Sequence, residues 1–254
     1  MRTTAVVIAA FALGACAHRA GHDDVSRARV ALAEELLRKG EWRQTVEVLG
    51  KVHSEREPTA RTLTARGTAL RELKAYDEAE RDLLRAIRLS GRHAPAHAAL
   101  AVLYDLRGRY GPADEHHGRA IDLDDQNAQY WNDWGFSFHL RRADDKAIEA
   151  FRMALELDPG LRRARNNLGF SYARVGDFTR AAQQFALGGS PAEAKNNLGF
   201  AYEAAGRLTQ ARDAYREAMW LDPTLRQARG NFAGVVARLE GRAPSGAGAG
   251  GKAP

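Results

Sequence analysis

The chain of 254 residues contains a single cysteine, Cys16, and this scarcity excludes several kinds of chemistry. One thiol cannot form an intramolecular disulfide, a Cys-x-x-Cys redox pair or a metal site built from two or more thiolates. The 38 Lys and Arg residues, against 32 Asp and Glu, form no basic block, so no nucleic-acid partner is predicted. The sequence also lacks an apolar run of 18 residues, which disfavours a membrane-spanning helix. Because 44% of the residues are hydrophobic, we expect a soluble body with a buried core and at most an N-terminal membrane connection.

The N-terminus has the layout of a secretion signal, with Arg2 near the start, a short apolar stretch and small residues before Cys16. The segment Leu13-Gly14-Ala15-Cys16 resembles a bacterial lipobox. This resemblance implies that residues 1–15 are removed, that Cys16 carries a covalent lipid, and that residues 16–25 form a short linker. Ala17 after the cysteine is compatible with transfer to the outer membrane. The alternatives are an ordinary signal peptide with an incidental cysteine, or a cytosolic protein with an apolar start.

Small residues recur at a fixed period along the body of the chain. The residues that recur at the same position of the pattern are Ala33, Gly67, Ala101, Gly135, Gly169 and Gly199. The spacings between them are 34, 34, 34, 34 and 30 residues. The fullest copy reads Trp131-x2-Trp134-Gly135-x2-Phe138 and continues with Ala147-x3-Phe151. In its period and in its residue types, this pattern resembles the tetratricopeptide repeat.

The resemblance implies an all-α fold, a right-handed α-solenoid of about six helix-turn-helix repeats closed by a C-terminal capping helix. In each repeat the small residue would let helix A approach helix B closely. Gly108, Gly176 and Gly206 are predicted to end A helices in a left-handed conformation. The fifth repeat is four residues shorter than the others. The predicted repeats are 26–59, 60–93, 94–127, 128–161, 162–191 and 192–225, with the capping helix at 226–240 and a disordered Gly/Ala/Pro tail at 241–254.

The sequence offers few candidates for catalysis or metal binding. His116 and His117 are adjacent, so on a helix they point about 100° apart and cannot share a metal as an i, i+4 pair does. His93 and His97 have the i, i+4 spacing, but a turn between repeats falls within it. The acidic segment 122–127 lacks the glycine and distal glutamate of an EF-hand, so a capping role is expected. We therefore predict a non-enzymatic binding protein with no catalytic residue, no metal site and no cofactor besides the lipid on Cys16.

In tetratricopeptide solenoids the A helices line the concave surface, and the resemblance implies which positions face it. Three repeats have Asn at position 5 and Phe at position 9. Exposed Phe side chains at this spacing would mark a partner site, Asn amides would bond the backbone of a bound segment, and basic groups would suit an acidic ligand. Alternatively, the Phe residues pack between A helices and the Asn residues bridge repeats. The predicted partner-binding residues are Asn132, Phe136, His139, Arg163, Asn166, Phe170, Arg174, Asn196 and Phe200.

A lipobox followed by tetratricopeptide repeats resembles the lipoproteins that act as pilotins and assembly factors of type IV and Tad (Flp) pili. The resemblance implies a lipid-anchored protein of the bacterial cell envelope, on the periplasmic side of the outer membrane. Its partner would be a secretin subunit or another envelope assembly component, held in the groove during assembly. The alternative is a periplasmic adaptor that docks peptidoglycan hydrolases or synthases. The sequence leaves the oligomeric state open.

Overall fold

The computed structural model describes residues 24–241, and within this range the chain forms thirteen helices and no strand. The predicted signal segment with Cys16, and all but the first residue of the predicted C-terminal tail, lie outside the described residues. Helix α1 is helical from residue 24, the first described, to residue 38. The other helices are α2 Trp42–Glu55, α3 Ala60–Glu72, α4 Tyr76–Leu89, α5 Ala94–Leu106, α6 Tyr110–Leu123, α7 Ala128–Leu140, α8 Asp144–Leu157, α9 Arg162–Arg174, α10 Phe178–Gly188, α11 Pro191–Ala204, α12 Leu208–Leu221 and α13 Arg226–Leu239. The all-α repeat-solenoid fold class, which the resemblance to the tetratricopeptide repeat implied, is confirmed.

The chain divides into two compact units, with the division between residues 123 and 124. In the first unit, α3 packs on α4 and α5 on α6 as antiparallel pairs. In the second unit the pairs are α7 with α8, α9 with α10 and α11 with α12, and α13 packs against α12. The first helix of each pair is called its A helix below, and the second its B helix. Helix α13 occupies the next A position.

Each pair in the second unit is held at close range by a glycine on the A helix and an aromatic ring on the B helix. A Cβ atom added at Gly169 would lie 2.5 Å from Cε1 of Phe185, and one added at Gly135 would lie 2.7 Å from the ring of Phe151. Both rings are fully buried. The recurring small residue is therefore explained by the space that the ring of the partner helix occupies.

The A helices end in a residue with left-handed backbone, followed by a short turn into the B helix. Gly108, Gly176 and Gly206 have φ of 69°, 89° and 74°, which confirms the predicted helix ends. Two of the corresponding positions are not glycine. Lys74 and Arg142 occupy them, with φ of 63° and 60°. A side chain at such a position is conformationally strained and is uncommon outside Gly, Asn and Asp.

The shortened fifth repeat corresponds to a shorter B helix. Helix α10 has 11 residues, whereas α8 and α12 have 14 each. The chain turns at Gly189, and Ser190 begins α11 with a capping box in which Glu193 bonds back to the Ser190 backbone. The carbonyl of Gly188 accepts a hydrogen bond from Nε of Arg162 at 2.9 Å. The missing turn thus brings the end of α10 directly onto the start of α9.

The glycine contact gives a first prediction, for Gly169→Ala. The added methyl group overlaps the buried Phe185 ring, so we expect the free energy of unfolding to fall by about 1–3 kcal/mol. Gly230→Ala is the matched control, because this α13 glycine has no atom within 4 Å of an added Cβ. The control should be unchanged or gain up to about 1 kcal/mol from helix propensity. Urea denaturation of both variants tests this, and equal midpoints would contradict the role given to Gly169.

Candidate functional site

The second unit contains a cavity of about 430 Å³ formed by its first three A helices, α7, α9 and α11, and by the turns after α7 and α11. Its lining combines aromatic rings with small side chains and a few polar groups. The lining residues are Phe136, His139, Arg142, Asn167, Phe170, Ala173, Arg174, Phe200, Ala201, Ala204 and Ala205. A concave, mainly apolar space with a few polar groups is the usual form of a binding site.

The three phenylalanines predicted from the repeat pattern all line this cavity, but they differ in exposure. Phe136 and Phe200 are 36% and 44% exposed, which is high for aromatic side chains. Phe170 lies between their helices and is half-buried, with its ring centroid 5.8 Å from that of Phe200 and 4.8 Å from that of Phe185. Phe170 therefore belongs to both the cavity wall and the core, while Phe136 and Phe200 are free to contact a partner.

The asparagines at position 5 form a ladder with asparagines at position 6 of the following A helix. The Nδ2 groups of Asn167, Asn197 and Asn231 donate to Oδ1 of Asn132, Asn166 and Asn196, respectively. The three distances are 3.1, 3.3 and 3.0 Å. Each bond joins two consecutive A helices, so the ladder fixes how these helices are aligned along the cavity.

Two of the residues predicted to contact a partner are buried within this ladder. Asn132 and Asn196 were predicted on the groove surface, but they are only 1% and 3% exposed, because the next A helix covers them. Asn166 is half-buried, and its Nδ2 also lies 3.4 Å from the carbonyl oxygen of Gly188. Sequence reasoning missed Asn167, Asn197 and Asn231, although the Asn-Asn pairs at 166–167 and 196–197 carried the signal.

Arg174 lines the cavity as part of an ion pair. Its Nε donates to both carboxylate oxygens of Asp144, at 2.7 and 2.9 Å, and its Nη2 donates to the same carboxylate and to the carbonyl of His139. The pair has no net charge, so Arg174 contributes little attraction for an acidic ligand. Arg163 is exposed on α9 but is not among the cavity-lining residues.

His139 is held neutral in the cavity wall. Its Nδ1 lies 2.9 Å from Oγ of Ser171. The pKa of His139 is lowered to about 4, mainly by burial and also by the positive charge of Arg174, while Asp144 partly opposes the shift. At neutral pH His139 is therefore a polar, uncharged group, and the positive charge expected from it is absent.

The histidines of the first unit make pairs that the sequence spacing did not predict. His97 bonds to His116 through their Nδ1 atoms at 2.9 Å, and buried His117 bonds to Asp105 at 2.8 Å. The structure describes no bond between the adjacent His116 and His117, and none between His93 and His97 at the i, i+4 spacing. Within residues 24–241, no group of three or more His, Cys, Asp or Glu side chains is arranged to hold a metal ion. In the acidic segment, Asn127 caps α7 by accepting from the backbone N–H of Gln129.

Comparison with known proteins identifies the repeat. The family model of the tetratricopeptide repeat matches residues 59–97 and 192–219, so these two segments have the sequence pattern of tetratricopeptide repeats. A curated relative, the lipoprotein NlpI homolog of Haemophilus influenzae, is 33% identical over 92 residues. The match covers 36% of this chain and 29% of the relative, so the chain spans less than a third of that protein.

Solved structures share the fold at low sequence identity. The Cut9–Hcn1 hetero-tetramer of the APC/C superposes with a TM-score of 0.65 at 19% identity, over 82% of this chain and 42% of that chain. Pseudomonas aeruginosa PilF gives 0.55 at 19% identity, over 72% and 93%. YrrB, described as a TPR protein with an unusual peptide-binding site, gives 0.52 at 20% identity, over 72% and 97%. These likenesses concern the fold alone. Between residues 24 and 241, no helix has the length and apolar character needed to cross a membrane.

The lowered pKa of His139 gives a second prediction. In the unfolded chain this histidine has a pKa of about 6.5, so between pH 6.5 and 4 the unfolded state binds a proton that the folded state does not. The free energy of unfolding is therefore unaffected by the protonation of His139 above pH 6.5. It falls as the pH drops towards 4, because protonation of His139 then favours the unfolded state. We expect His139→Asn, which can keep the bond to Ser171, to lose less stability than wild type between pH 7.5 and 5. Urea midpoints at these two pH values measure this, and an equal loss in both proteins would count against it.

Proposed function

We propose that this chain of tetratricopeptide repeats is a non-enzymatic interaction scaffold whose second unit binds a segment of a partner protein. The observation that carries the proposal is the pair of exposed rings, Phe136 and Phe200, on either side of Phe170 over the cavity. Exposed apolar side chains gathered around a concave surface are typical of partner sites. Fully burying one such side chain contributes about 1.5–3 kcal/mol, so a few contacts suffice for useful affinity.

The shape of the cavity favours a short segment over a flat protein surface. Four alanines, Ala173, Ala201, Ala204 and Ala205, leave open space where larger side chains would fill the wall. The asparagine ladder holds the three A helices in fixed register, so the Phe side chains are in place before a partner arrives. Such preorganisation lowers the entropy lost on binding.

We further propose that the protein is a lipoprotein of the bacterial envelope, anchored through Cys16 to the outer membrane and facing the periplasm. Two observations support this: the lipobox-like segment Leu13–Cys16 in the sequence, and the relative named a lipoprotein. A membrane anchor of several acyl chains is stable, because each buried methylene adds about 0.8 kcal/mol. Anchoring would also confine the scaffold and a membrane-associated partner to one thin layer and so raise their effective concentration.

Within this function, we propose a secretin subunit as the partner, held in the manner of a pilotin during assembly of a pilus or secretion apparatus. A single cavity spanning three A helices suits one short, extended segment of such a subunit. An adaptor for peptidoglycan hydrolases or synthases would use the same surface for folded enzymes, and the next experiment distinguishes the two partner classes.

Site-specific photocrosslinking in cells tests the binding surface. A photoreactive residue at Phe136 or Phe200 should give an adduct with a secretin subunit, identified by mass spectrometry. Trp220 is the matched control, because this α12 side chain is 81% exposed and does not line the cavity. Adducts with cell-wall enzymes would replace the pilotin role by the adaptor role. The same partner captured equally from Trp220, or no adduct from either Phe position, would contradict binding in the cavity.

Substitution of the cysteine tests the anchor. We expect Cys16→Ser to move the protein from the membrane fraction to the soluble periplasmic fraction, because the thiol that carries the lipid is lost. Cell fractionation followed by immunoblotting measures this, with the wild-type protein as reference. A Cys16→Ser protein that stays with the membranes after a carbonate wash would argue against lipid anchoring.

A further inference from the structure

Arg142 stands at a position where its neighbours in the second unit have glycine. It ends α7 in the way that Gly176 ends α9 and Gly206 ends α11, and its φ of 60° lies in the same left-handed region. A residue with a Cβ atom is strained in this conformation, whereas glycine is not. The arginine at this place therefore carries a local conformational cost, and residues with strained backbone are enriched at ligand sites.

Arg142 also provides the charge of the cavity. Of the lining residues, only Arg142 and Arg174 are charged at neutral pH, and Arg174 is neutralised by Asp144. His139 is uncharged at this pH because burial lowers its pKa. Arg142 is exposed, and the structure gives it no acidic partner within the part of the chain that it describes. The cavity is thus apolar with one uncompensated positive charge in its lining.

We propose that Arg142 makes the cavity selective for a partner segment in which a carboxylate stands next to a bulky apolar side chain. The apolar side chain would fill the space between Phe136 and Phe200, and the carboxylate would accept hydrogen bonds from the Arg142 guanidinium. A guanidinium can bind a carboxylate through two parallel hydrogen bonds, which gives directional as well as electrostatic recognition. This inference rests on the proposed function, because it names the chemistry of the segment that the cavity binds.

Two labelled peptides test the inference by fluorescence anisotropy with the purified full-length protein in detergent solution. The acidic peptide is Gly-Ser-Glu-Phe-Glu-Ser-Gly, and the amide peptide Gly-Ser-Gln-Phe-Gln-Ser-Gly has the same size without the carboxylates. Wild type should bind the acidic peptide about fivefold more tightly, as expected for a partly exposed ion pair. This preference should shrink as sodium chloride is raised, because salt screens exposed charges.

The decisive variant is Arg142→Gly, which removes the guanidinium and adopts the left-handed backbone without strain. It should bind both peptides equally, at the affinity that wild type has for the amide peptide. Arg142→Lys should keep part of the preference. Lys74→Gly is the matched control, because Lys74 has the same backbone conformation in the first unit and does not line the cavity. Urea midpoints should show that both glycine variants remain folded.

The outcomes separate this inference from the function on which it rests. Equal binding of the two peptides by wild type, or a preference that survives Arg142→Gly, would overturn the role of Arg142 and leave the cavity as the binding surface. Failure of wild type to bind either peptide would also overturn the inference. If crosslinking at Phe136 and Phe200 gave no adduct as well, the proposed function would fail with it.

Discussion

The arrangement of the second unit depends on the contact between a glycine of each A helix and an aromatic ring of its B helix. Gly169 and Phe185 illustrate it, because the ring occupies the space that any side chain at the glycine would need. The B-helix ring thereby fills the interior of the pair, and the opposite side of the A helix is left to face the next pair or the solvent. This close approach gives each pair of the second unit a tightly packed interior.

The second constraint acts between pairs. The bond from Asn167 to Asn132 joins α9 to α7, and the bonds from Asn197 and Asn231 continue the same link through α11 to α13. Buried amides are costly unless they are paired, so each bond favours one alignment of neighbouring helices over all others. The glycines thus set the distance within pairs and the asparagines set the alignment between them. The positions of Phe136 and Phe200 follow from both.

The repeat pattern in the sequence was sufficient to predict the helices and their ends. It did not reveal contacts between residues on different helices. The 34-residue period and its residue types resemble the tetratricopeptide repeat, and this resemblance was enough to predict the all-α repeat fold and left-handed helix ends such as Gly176. The partner of Arg174 is Asp144, 30 residues away on another helix, and no local pattern indicates that this charge is already neutralised. Likewise, the location of Asn132 at position 5 did not reveal that its side chain is buried, because the residues that bury it lie on the following A helix.

The turn at the end of each A helix constrains the backbone of one residue but leaves its side chain exposed. The backbone there must be left-handed to lead into the B helix, but the side chain points away from the packed interface, as the exposure of Lys74 and Arg142 indicates. Changing this residue therefore alters the chemistry of the adjacent surface and leaves the glycine and asparagine contacts intact. In the second unit the turn after α7 lines the cavity, so a single residue outside the core contributes the uncompensated charge of the cavity lining.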